Sequence, residues 1–220
     1  ARYRSMYIGV FFKRYIEGLW AAAEGVIYDM FDEVRHVRDI KDFFQLLING
    51  NRYVSCDYGT QNATVFLLWN KGRDGVWYCI REYYYSGRDR KIQKTDSEYA
   101  DDLVKFLDGK EIFQIVVDPS AASFIAELKK RGFRVKKAKN DVSNGIRLVS
   151  TMLNQCKIKF FSKCKNTIKE FSVYAWDPKA SARGEDAPIK QNDHAMDAIR
   201  YFIYTILKGS GLNMDLEGGI

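Results

Sequence analysis

The pattern of hydrophobic and polar residues becomes strand-like between residues 52 and 85. Three runs rich in valine, tyrosine, phenylalanine, tryptophan and isoleucine cover residues 52–57, 64–70 and 76–85, and this composition is typical of β-strands. The two breaks between them, Gly-Thr-Gln-Asn and Lys-Gly-Arg-Asp-Gly, are turn sequences. Because both breaks are short, the pattern predicts antiparallel strands joined as hairpins.

Helix-like and strand-like patterns alternate after this point. Apolar residues recur at helical spacing in five segments, namely 97–107, 121–131, 142–156, 167–174 and 193–207. The strand-like segments between them are the continuous apolar run 113–117, the short run 133–135 and a candidate edge strand at 158–161. Three antiparallel strands followed by strand–helix alternation predict an α/β fold, a mixed sheet with helices on both faces. In such a sheet we expect the site where the first strand lies beside the first parallel strand.

The two ends of the chain do not follow this rhythm. Residues 1–50 are aromatic-rich and irregular, with helical spacing at 3–15 and 39–48, and we expect a linker or packing segment there. Residues 209–220 are Gly-rich and are expected to form a flexible tail. The folded domain is therefore predicted over residues 51–208, in a chain whose first residue, alanine, suggests a fragment of a longer polypeptide.

Composition and charge narrow the class of partner. The 220 residues are 46% hydrophobic and 29% charged, as in ordinary globular proteins. The net charge of +7 favours nucleic acid as a partner, ahead of a membrane surface, although many basic proteins bind nothing anionic. No apolar run approaches the ~20 residues of a membrane helix. Four cysteines without a CxxC pair and only two histidines argue against zinc and for reduced thiols in a cytosolic compartment.

Three acidic groups stand where the predicted elements would bring them together. Asp57 closes the first strand, and Asp118 closes the buried strand. Asp193, His194 and Asp197 fall within one arc of about 100° on the last helix. Crowded carboxylates are tolerable when cations neutralise them, and oxygen ligands suit Mg²⁺ or Mn²⁺. Two such ions about 4 Å apart can activate a water and stabilise the leaving oxygen in phosphodiester hydrolysis.

Each of these acids also has a purely structural explanation. Asp57 precedes Tyr-Gly and could begin a turn. Asp118 precedes Pro119, which is the sequence of a helix N-cap with proline at the first helical position, and Asp193 could cap the last helix. The sequence contains no GxxxxGK[ST] phosphate loop, which argues against ATP hydrolysis by this segment.

Two lysine-rich runs could contact a polyanion. Residues 129–139 carry seven lysines and arginines, and residues 157–169 interleave lysines with phenylalanines. Away from a site such runs are usually solvated faces, whereas beside an acidic metal site they would contact phosphates and position a duplex without reading its sequence. The candidates for DNA contact are Lys136, Lys137, Lys139, Lys163 and Lys165.

Three motifs, taken in order, resemble a known family. They are Asp-Tyr-Gly followed by Asn-Ala-Thr, then Val-Val-Asp-Pro-Ser-Ala, then Asn-Asp-His-Ala-Met-Asp-Ala-Ile-Arg-Tyr. Together they resemble the nuclease domain of the large terminase subunit of tailed bacteriophages, and the last motif is the most specific. Residues 13–20 and 24–32 look like the segment that joins the motor ATPase of that family to its nuclease. The resemblance covers about residues 5–207.

The resemblance implies a ribonuclease H-like fold and a two-metal endonuclease. Such an enzyme uses two Mg²⁺ or Mn²⁺ ions and cuts concatemeric viral double-stranded DNA to start and end packaging into the procapsid. Carried over by motif, Asp57, Asp118 and Asp197 would be metal ligands, and His194 would be an auxiliary ligand or an orienting group. The resemblance leaves the role of Asp193 open.

The resemblance also implies partners and a location. It implies an upstream ATPase domain in the same polypeptide, the viral portal and the small terminase subunit as partners, and a place in the host cytoplasm at the procapsid portal. Glu82 is a possible extra acid, but the tyrosines beside it give it an equally good structural explanation. Two alternatives stay open: another ribonuclease H-like nuclease such as a junction resolvase, and a non-catalytic DNA-binding or portal-docking module.

Overall fold

A computed structural model describes residues 9–19, 21–39, 41, 50–60 and 62–208 of the chain. Most of the predicted helical segment 39–48, the first residues of the segment 3–15 and the predicted tail 209–220 lie outside these residues. The described strands, in chain order, are β1 (Val37–Arg38), β2 (Tyr53–Asp57), β3 (Ala63–Lys71), β4 (Trp77–Ser86), β5 (Gln114–Val117), β6 (Val135–Lys137) and β7 (Ile158–Phe161).

These strands form one mixed sheet with the order β1-β7-β4-β3-β2-β5-β6. β3 pairs antiparallel with both β2 and β4, which confirms the predicted hairpins. The other pairings are parallel, so β3 is the one strand of this sheet that runs against its neighbours. The carboxyl ends of β2, β4, β5, β6 and β7 therefore lie at the same edge of the sheet.

The described helices agree closely with the sequence pattern from residue 96 onwards. They are α1 (Gly9–Tyr15), α2 (Glu33–His36), α3 (Gly87–Arg90), α4 (Asp96–Leu107), α5 (Ala122–Lys130), α6 (Val142–Asn154), α7 (Lys165–Val173), α8 (Pro178–Ser181) and α9 (His194–Phe202). The sequence predicts that the last helix extends to residue 207. It does so as a π-helix, Ile203–Leu207, and the hydroxyl of Thr205 in this turn accepts a hydrogen bond from the Lys139 backbone N–H at 2.9 Å.

Side chains on the two faces of the sheet form two hydrophobic cores. Along β3, Val65, Leu67 and Trp69 pack with α6, α7 and α9. Phe66 and Leu68, which point the other way because side chains alternate along a strand, pack with α4 and α5. Helices therefore cover both faces, as predicted. Burial of each such side chain is worth about 1.5–3 kcal/mol, so these layers hold α9 firmly against the sheet.

The segment that precedes β2 contributes to the first of these cores. Ile27 and Tyr28 are buried, and the Phe31 ring stacks on Phe171 of α7 with ring centroids 4.0 Å apart. β1 follows in the same segment and pairs with β7. The prediction that residues 158–161 form an edge strand is therefore wrong. A two-residue strand has no periodicity, so the sequence pattern could not show the neighbour that covers β7.

The position of β6 also differs from the prediction of residues 133–135. The Phe133 N–H still bonds to the Leu128 carbonyl, in the turn that closes α5, and Gly132 there has a φ of +87°. The chain therefore joins the ladder only at Val135, opposite Ile115. None of the helices in the described part of the chain is long and apolar enough to cross a membrane.

Candidate active site

A polar cavity of about 500 Å³ lies at the carboxyl edge of the sheet. Asp57 is the last residue of β2, and Asp118 directly follows β5, its parallel neighbour. α9 packs across β2 and β3 and brings His194 and Asp197 to the same cavity, which Asp193 also lines. The structure thus brings together the acidic residues and the histidine that the sequence pattern indicates.

Asp57 and His194 form a mostly buried pair. Asp57 Oδ2 lies 2.9 Å from His194 Nδ1, and the two side chains are only 14% and 19% exposed. Burial raises the pKa of Asp57 to about 6; the hydrogen bond with His194 opposes the rise, and the charge of Asp197 adds to it. Burial lowers the pKa of His194, but the hydrogen bond and charge of Asp57 outweigh burial and raise it overall. The crowded negative charge at this end of the cavity is what a bound cation would relieve.

Asp118 has the opposite electrostatic balance. Its Oδ1 accepts a hydrogen bond from the Ser120 backbone N–H at 2.7 Å, and its Oδ2 accepts one from the Tyr201 hydroxyl at 2.5 Å. Burial raises the pKa of Asp118, but these hydrogen bonds outweigh burial and leave it below its usual value. Asp118 is not the helix N-cap suggested by the sequence, because its side chain closes a turn at Ser120 and α5 begins only at Ala122.

Asp197 is held by a buried arginine. Its Oδ1 accepts a hydrogen bond from Arg200 Nη2 at 2.9 Å, and Arg200, only 1% exposed, also donates to Asn140 Oδ1 at 2.8 Å. A Cβ at Gly145 of α6 would lie 2.6 Å from Arg200 Cδ, so glycine leaves the space that this side chain needs. The Asp197 carboxylate is therefore fixed through one oxygen, and its Oδ2 lies 3.7 Å from Lys190 Nζ.

Asp193 occupies the N-cap position of α9, but its side chain makes no capping hydrogen bond. Its carboxylate is buried in the cavity wall, and Oδ2 lies 3.5 Å from Lys190 Nζ. The expected capping role is therefore wrong. Asp193 instead adds a further carboxylate to the cavity.

The cap of α9 comes from Glu170 on α7. Glu170 Oε2 accepts hydrogen bonds from the backbone N–H groups of Ala195 at 2.8 Å and Met196 at 3.3 Å, and Oε1 accepts one from the Tyr84 hydroxyl at 2.8 Å. Burial raises the pKa of Glu170 to about 7, although these hydrogen bonds oppose the rise. The sequence pattern does not reveal this residue, because no local motif links Glu170 to a helix that begins at His194.

Glu82, the other acid considered from the sequence, has a structural role. Its two oxygens accept hydrogen bonds from the backbone N–H groups of Asn166 and Thr167, each at 2.9 Å. Glu82 therefore caps α7, and it is not among the described residues that line the cavity. The structural explanation of this acid is thus the one that its contacts support.

The donor set fits a divalent cation, although no finished site is preformed. Among the described residues, no three histidine, cysteine, aspartate or glutamate side chains stand together as a metal site. Each carboxylate is held instead by the protein donor described above. The set nevertheless consists of carboxylate oxygens and one imidazole around a single polar cavity, which are ligands that Mg²⁺ and Mn²⁺ accept. The protein also already places an ammonium group beside two of these carboxylates.

The five predicted DNA-contacting lysines are exposed and lie at the same edge of the sheet as the carboxylates. β6 ends beside β5, with Lys137 opposite Val117, and β7 ends at the same edge two strands beyond β3. Among the side chains described as lining the cavity, none is one of these lysines. The five form two exposed groups on either side of the cavity, which are Lys136, Lys137 and Lys139 after β5, and Lys163 and Lys165 after β7.

Different cations line the cavity itself, and the sequence pattern did not single them out. They are Arg88, Lys190 and Arg200. Lys190 lies three residues before Asp193, so its place next to the last motif was the available signal. A larger groove of about 670 Å³ lies between residues 26–37 and α7. The candidate metal ligands do not line that groove, so we place the chemistry in the smaller, acidic cavity.

The fold and the site define a class before any comparison is made. A mixed sheet with helices on both faces and acidic residues at the ends of two parallel neighbours is the arrangement of a ribonuclease H-like nuclease. The family model "Terminase RNaseH-like domain" matches residues 55–205, and the chain belongs to this family. The family and the fold that the sequence motifs implied are thereby confirmed.

Individual relatives agree with this assignment. The chain is 26% identical over 209 residues to the large terminase subunit of Escherichia phage T5, covering 90% of this chain and 46% of that protein. It resembles the large terminase of a thermophilic bacteriophage in complex with ADP, with a TM-score of 0.88, 54% identity and coverage of 94% and 51%. The chain spans about half the length of these relatives.

An isolated nuclease domain shares the fold at lower identity. The nuclease domain of the large terminase of bacteriophage SPP1, with bound Mn, matches with a TM-score of 0.54 and 19% identity. The match covers 81% of this chain and 98% of that domain. At this level of identity the similarity demonstrates the fold alone.

Proposed function

We propose that the chain is the metal-dependent endonuclease domain of a large terminase subunit, and that it cuts concatemeric viral DNA to start and end genome packaging. The observation that carries the proposal is one cavity at the parallel edge of the sheet, lined by Asp57, Asp118, His194 and Asp197. Membership of the terminase family supports the biological setting, and the Mn bound to the SPP1 domain supports the class of ion.

The proposed roles follow from the contacts of each side chain. Asp57, Asp118 and Asp197 would hold two Mg²⁺ or Mn²⁺ ions. Bound there, such ions would activate a water and stabilise the leaving oxygen in phosphodiester hydrolysis. His194 orients the Asp57 carboxylate through the 2.9 Å contact and is an auxiliary ligand in this proposal.

The neighbouring side chains position these ligands. The buried Arg200 fixes one oxygen of Asp197, and the Tyr201 hydroxyl fixes one oxygen of Asp118. Both donors come from α9, the helix that also carries His194. One rigid helix therefore sets the relative positions of the groups that would bind metal.

We assign the remaining surface and the chain ends by the same proposal. The two exposed lysine groups beside the cavity would contact phosphates of double-stranded DNA. Residues 51–208 would be the nuclease domain, residues 1–50 the segment that follows an upstream ATPase domain, and residues 209–220 a tail. The viral portal and the small terminase subunit would be partners, at the procapsid portal in the host cytoplasm.

A cleavage assay without ATP tests the proposal. Plasmid and linear duplex are incubated with the protein in Mn²⁺, Mg²⁺ or EDTA, with Asp197→Asn as the inactive control. We expect nicking and cutting with either metal, none in EDTA and none by the variant. Preference for branched DNA would favour a junction resolvase, and no cleavage under any condition would favour a non-catalytic module.

A further inference from the structure

Lys190 reaches from solvent into the acidic cavity. Its side chain is 64% exposed, but its Nζ lies 3.5 Å from Asp193 Oδ2 and 3.7 Å from Asp197 Oδ2. The two carboxylate side chains are only 8% and 12% exposed. A flexible, solvent-anchored ammonium group therefore neutralises two carboxylates that are nearly buried.

The other cations of the cavity are held in different ways. Arg200 is 1% exposed and is fixed by Asp197 and Asn140, so it cannot leave without unpacking α9. Arg88 contacts Asn62 at 3.4 Å on the opposite wall. Lys190 is thus the described cavity cation that can move at little cost, since exposed lysine ion pairs are weak.

Metal binding would change the balance around this ammonium group. Divalent ions held by the carboxylates would replace the charge that Lys190 supplies and would repel it. A lysine has a four-carbon stem and behaves as a compact point charge. Once released, it would lie at the mouth of the cavity, where the phosphate of a bound duplex must approach the metal ligands.

We propose that Lys190 is a tethered cation that neutralises Asp193 and Asp197 until metal ions bind, and that it contacts a DNA phosphate once they have displaced it. This inference rests on the proposed metal-dependent function. It makes the grip on DNA depend on metal loading, because the same ammonium group serves the empty site and the phosphate in turn.

Calorimetric titration with Mn²⁺ tests the first half of the proposal. The proteins are the unchanged chain, Lys190→Gln, Lys190→Arg and Lys179→Gln, an exposed lysine of α8 used as a charge-matched control. We expect Lys190→Gln to bind Mn²⁺ about two- to fivefold more tightly, the fold-change that corresponds to removal of an exposed ion pair. The other two variants should match the unchanged chain.

Two outcomes of the titration are distinct. Unaltered or weaker Mn²⁺ binding by Lys190→Gln would overturn this inference alone. Failure of the unchanged chain to bind Mn²⁺ would overturn the proposed function. Because Lys190 is largely exposed, we expect each variant to fold, and a thermal melt in EDTA checks this.

The salt dependence of duplex binding tests the second half. Binding of a short duplex is measured against salt in EDTA and in Ca²⁺, an ion that also takes oxygen ligands, and a gel confirms that the duplex stays intact. In Ca²⁺, Lys190→Gln should lower the slope of log K against log salt by about 0.9, as expected when one phosphate is no longer neutralised. In EDTA the slope should not change. An equal change in both conditions, or no change in Ca²⁺, would overturn the hand-over to phosphate.

Discussion

At the scale of single residues, Asp57 and Asp118 are chemically identical but have opposite effects on stability. The pKa of Asp57 is raised to about 6 by burial, whereas hydrogen bonds hold that of Asp118 below its usual value. The favourable contribution of Asp57 is full below its unfolded pKa and is lost as the pH rises through about 6. Asp118 contributes above its unfolded pKa, and its contribution is lost as the pH falls.

We therefore expect opposite shifts in stability from matched substitutions. In EDTA at pH 8, Asp57→Asn should raise the free energy of unfolding by about 1–2 kcal/mol, because it removes a buried charge. Asp118→Asn should lower it by about 1–3 kcal/mol, because it weakens two hydrogen bonds to a carboxylate. Urea unfolding measures both. If both substitutions destabilised the protein equally, the electrostatic contrast would be wrong.

The sequence predicted the site residues whose position follows from a local pattern. Asp57 and Asp118 stand out because each ends an apolar run, and Asp197 because helical spacing aligns it with His194. The capping role of Glu170 could not be found this way, because it depends on how α7 packs against α9. The cap suggested for Asp118 was wrong because the preference for Asp before Pro also fits a turn closed by the Ser120 N–H.

At the scale of elements, α7 and α9 are each capped by a glutamate from a neighbouring element. Glu82 on β4 caps α7, and Glu170 on α7 caps α9. Both contacts are carboxylate–backbone hydrogen bonds, but only α9 carries candidate metal ligands. The two glutamates thus provide a matched pair for separating stability from site geometry.

We expect Glu170→Ala and Glu82→Ala each to lower the free energy of unfolding by about 1–3 kcal/mol, since both leave helix N–H groups without an acceptor. Only Glu170→Ala should also weaken Mn²⁺ binding, because it loosens the first turn of α9. Chemical unfolding and calorimetric titration give the two quantities. Equal Mn²⁺ affinities in the two variants would show that the α9 cap does not position the site.

The same glutamate should make stability depend on pH. Burial raises the pKa of Glu170 to about 7, so between its unfolded value and 7 the folded state binds more protons than the unfolded state. Its contribution to stability is then full at low pH and declines as the pH rises to about 7. We expect Glu170→Gln to make the stability curve flatter over this range in EDTA. An unchanged slope would mean that Glu170 is ionised throughout.

Most elements could be predicted because they bury long, regular apolar patterns. β3 and α9 are examples, since both lie at the centre of the packing. The exceptions depend on partners distant in sequence. β1 has two residues and exists through its pairing with β7, and the start of β6 is set by the turn that closes α5.

At the scale of the whole molecule, the parallel strands bring acidic and basic groups to one edge. The acidic cavity lies between the two exposed lysine groups, after β5 and after β7. A duplex held by both groups would pass over the carboxylates. This arrangement gives the net charge of +7 a location as well as a sign.

Charge reversal at Lys136, Lys137 and Lys139 tests that arrangement. We expect the triple substitution to glutamate to weaken duplex binding and to lower the slope of log K against log salt by about 0.9 for each phosphate that the protein no longer neutralises. Mn²⁺ affinity should survive, because these side chains do not line the cavity. Duplex titrations at several salt concentrations provide the slope, and an unchanged slope would return this group to the solvated surface.

The most direct test of the account is the position of metal ions in the protein. Crystals soaked in Mn²⁺ would be measured at a wavelength where manganese scatters anomalously. We predict one or two anomalous peaks in the acidic cavity, with oxygen atoms of Asp57, Asp118 and Asp197 as ligands and no comparable peak in Asp197→Asn. A cavity without manganese, or manganese bound only elsewhere on the protein, would contradict the assignment of this site as the nuclease centre.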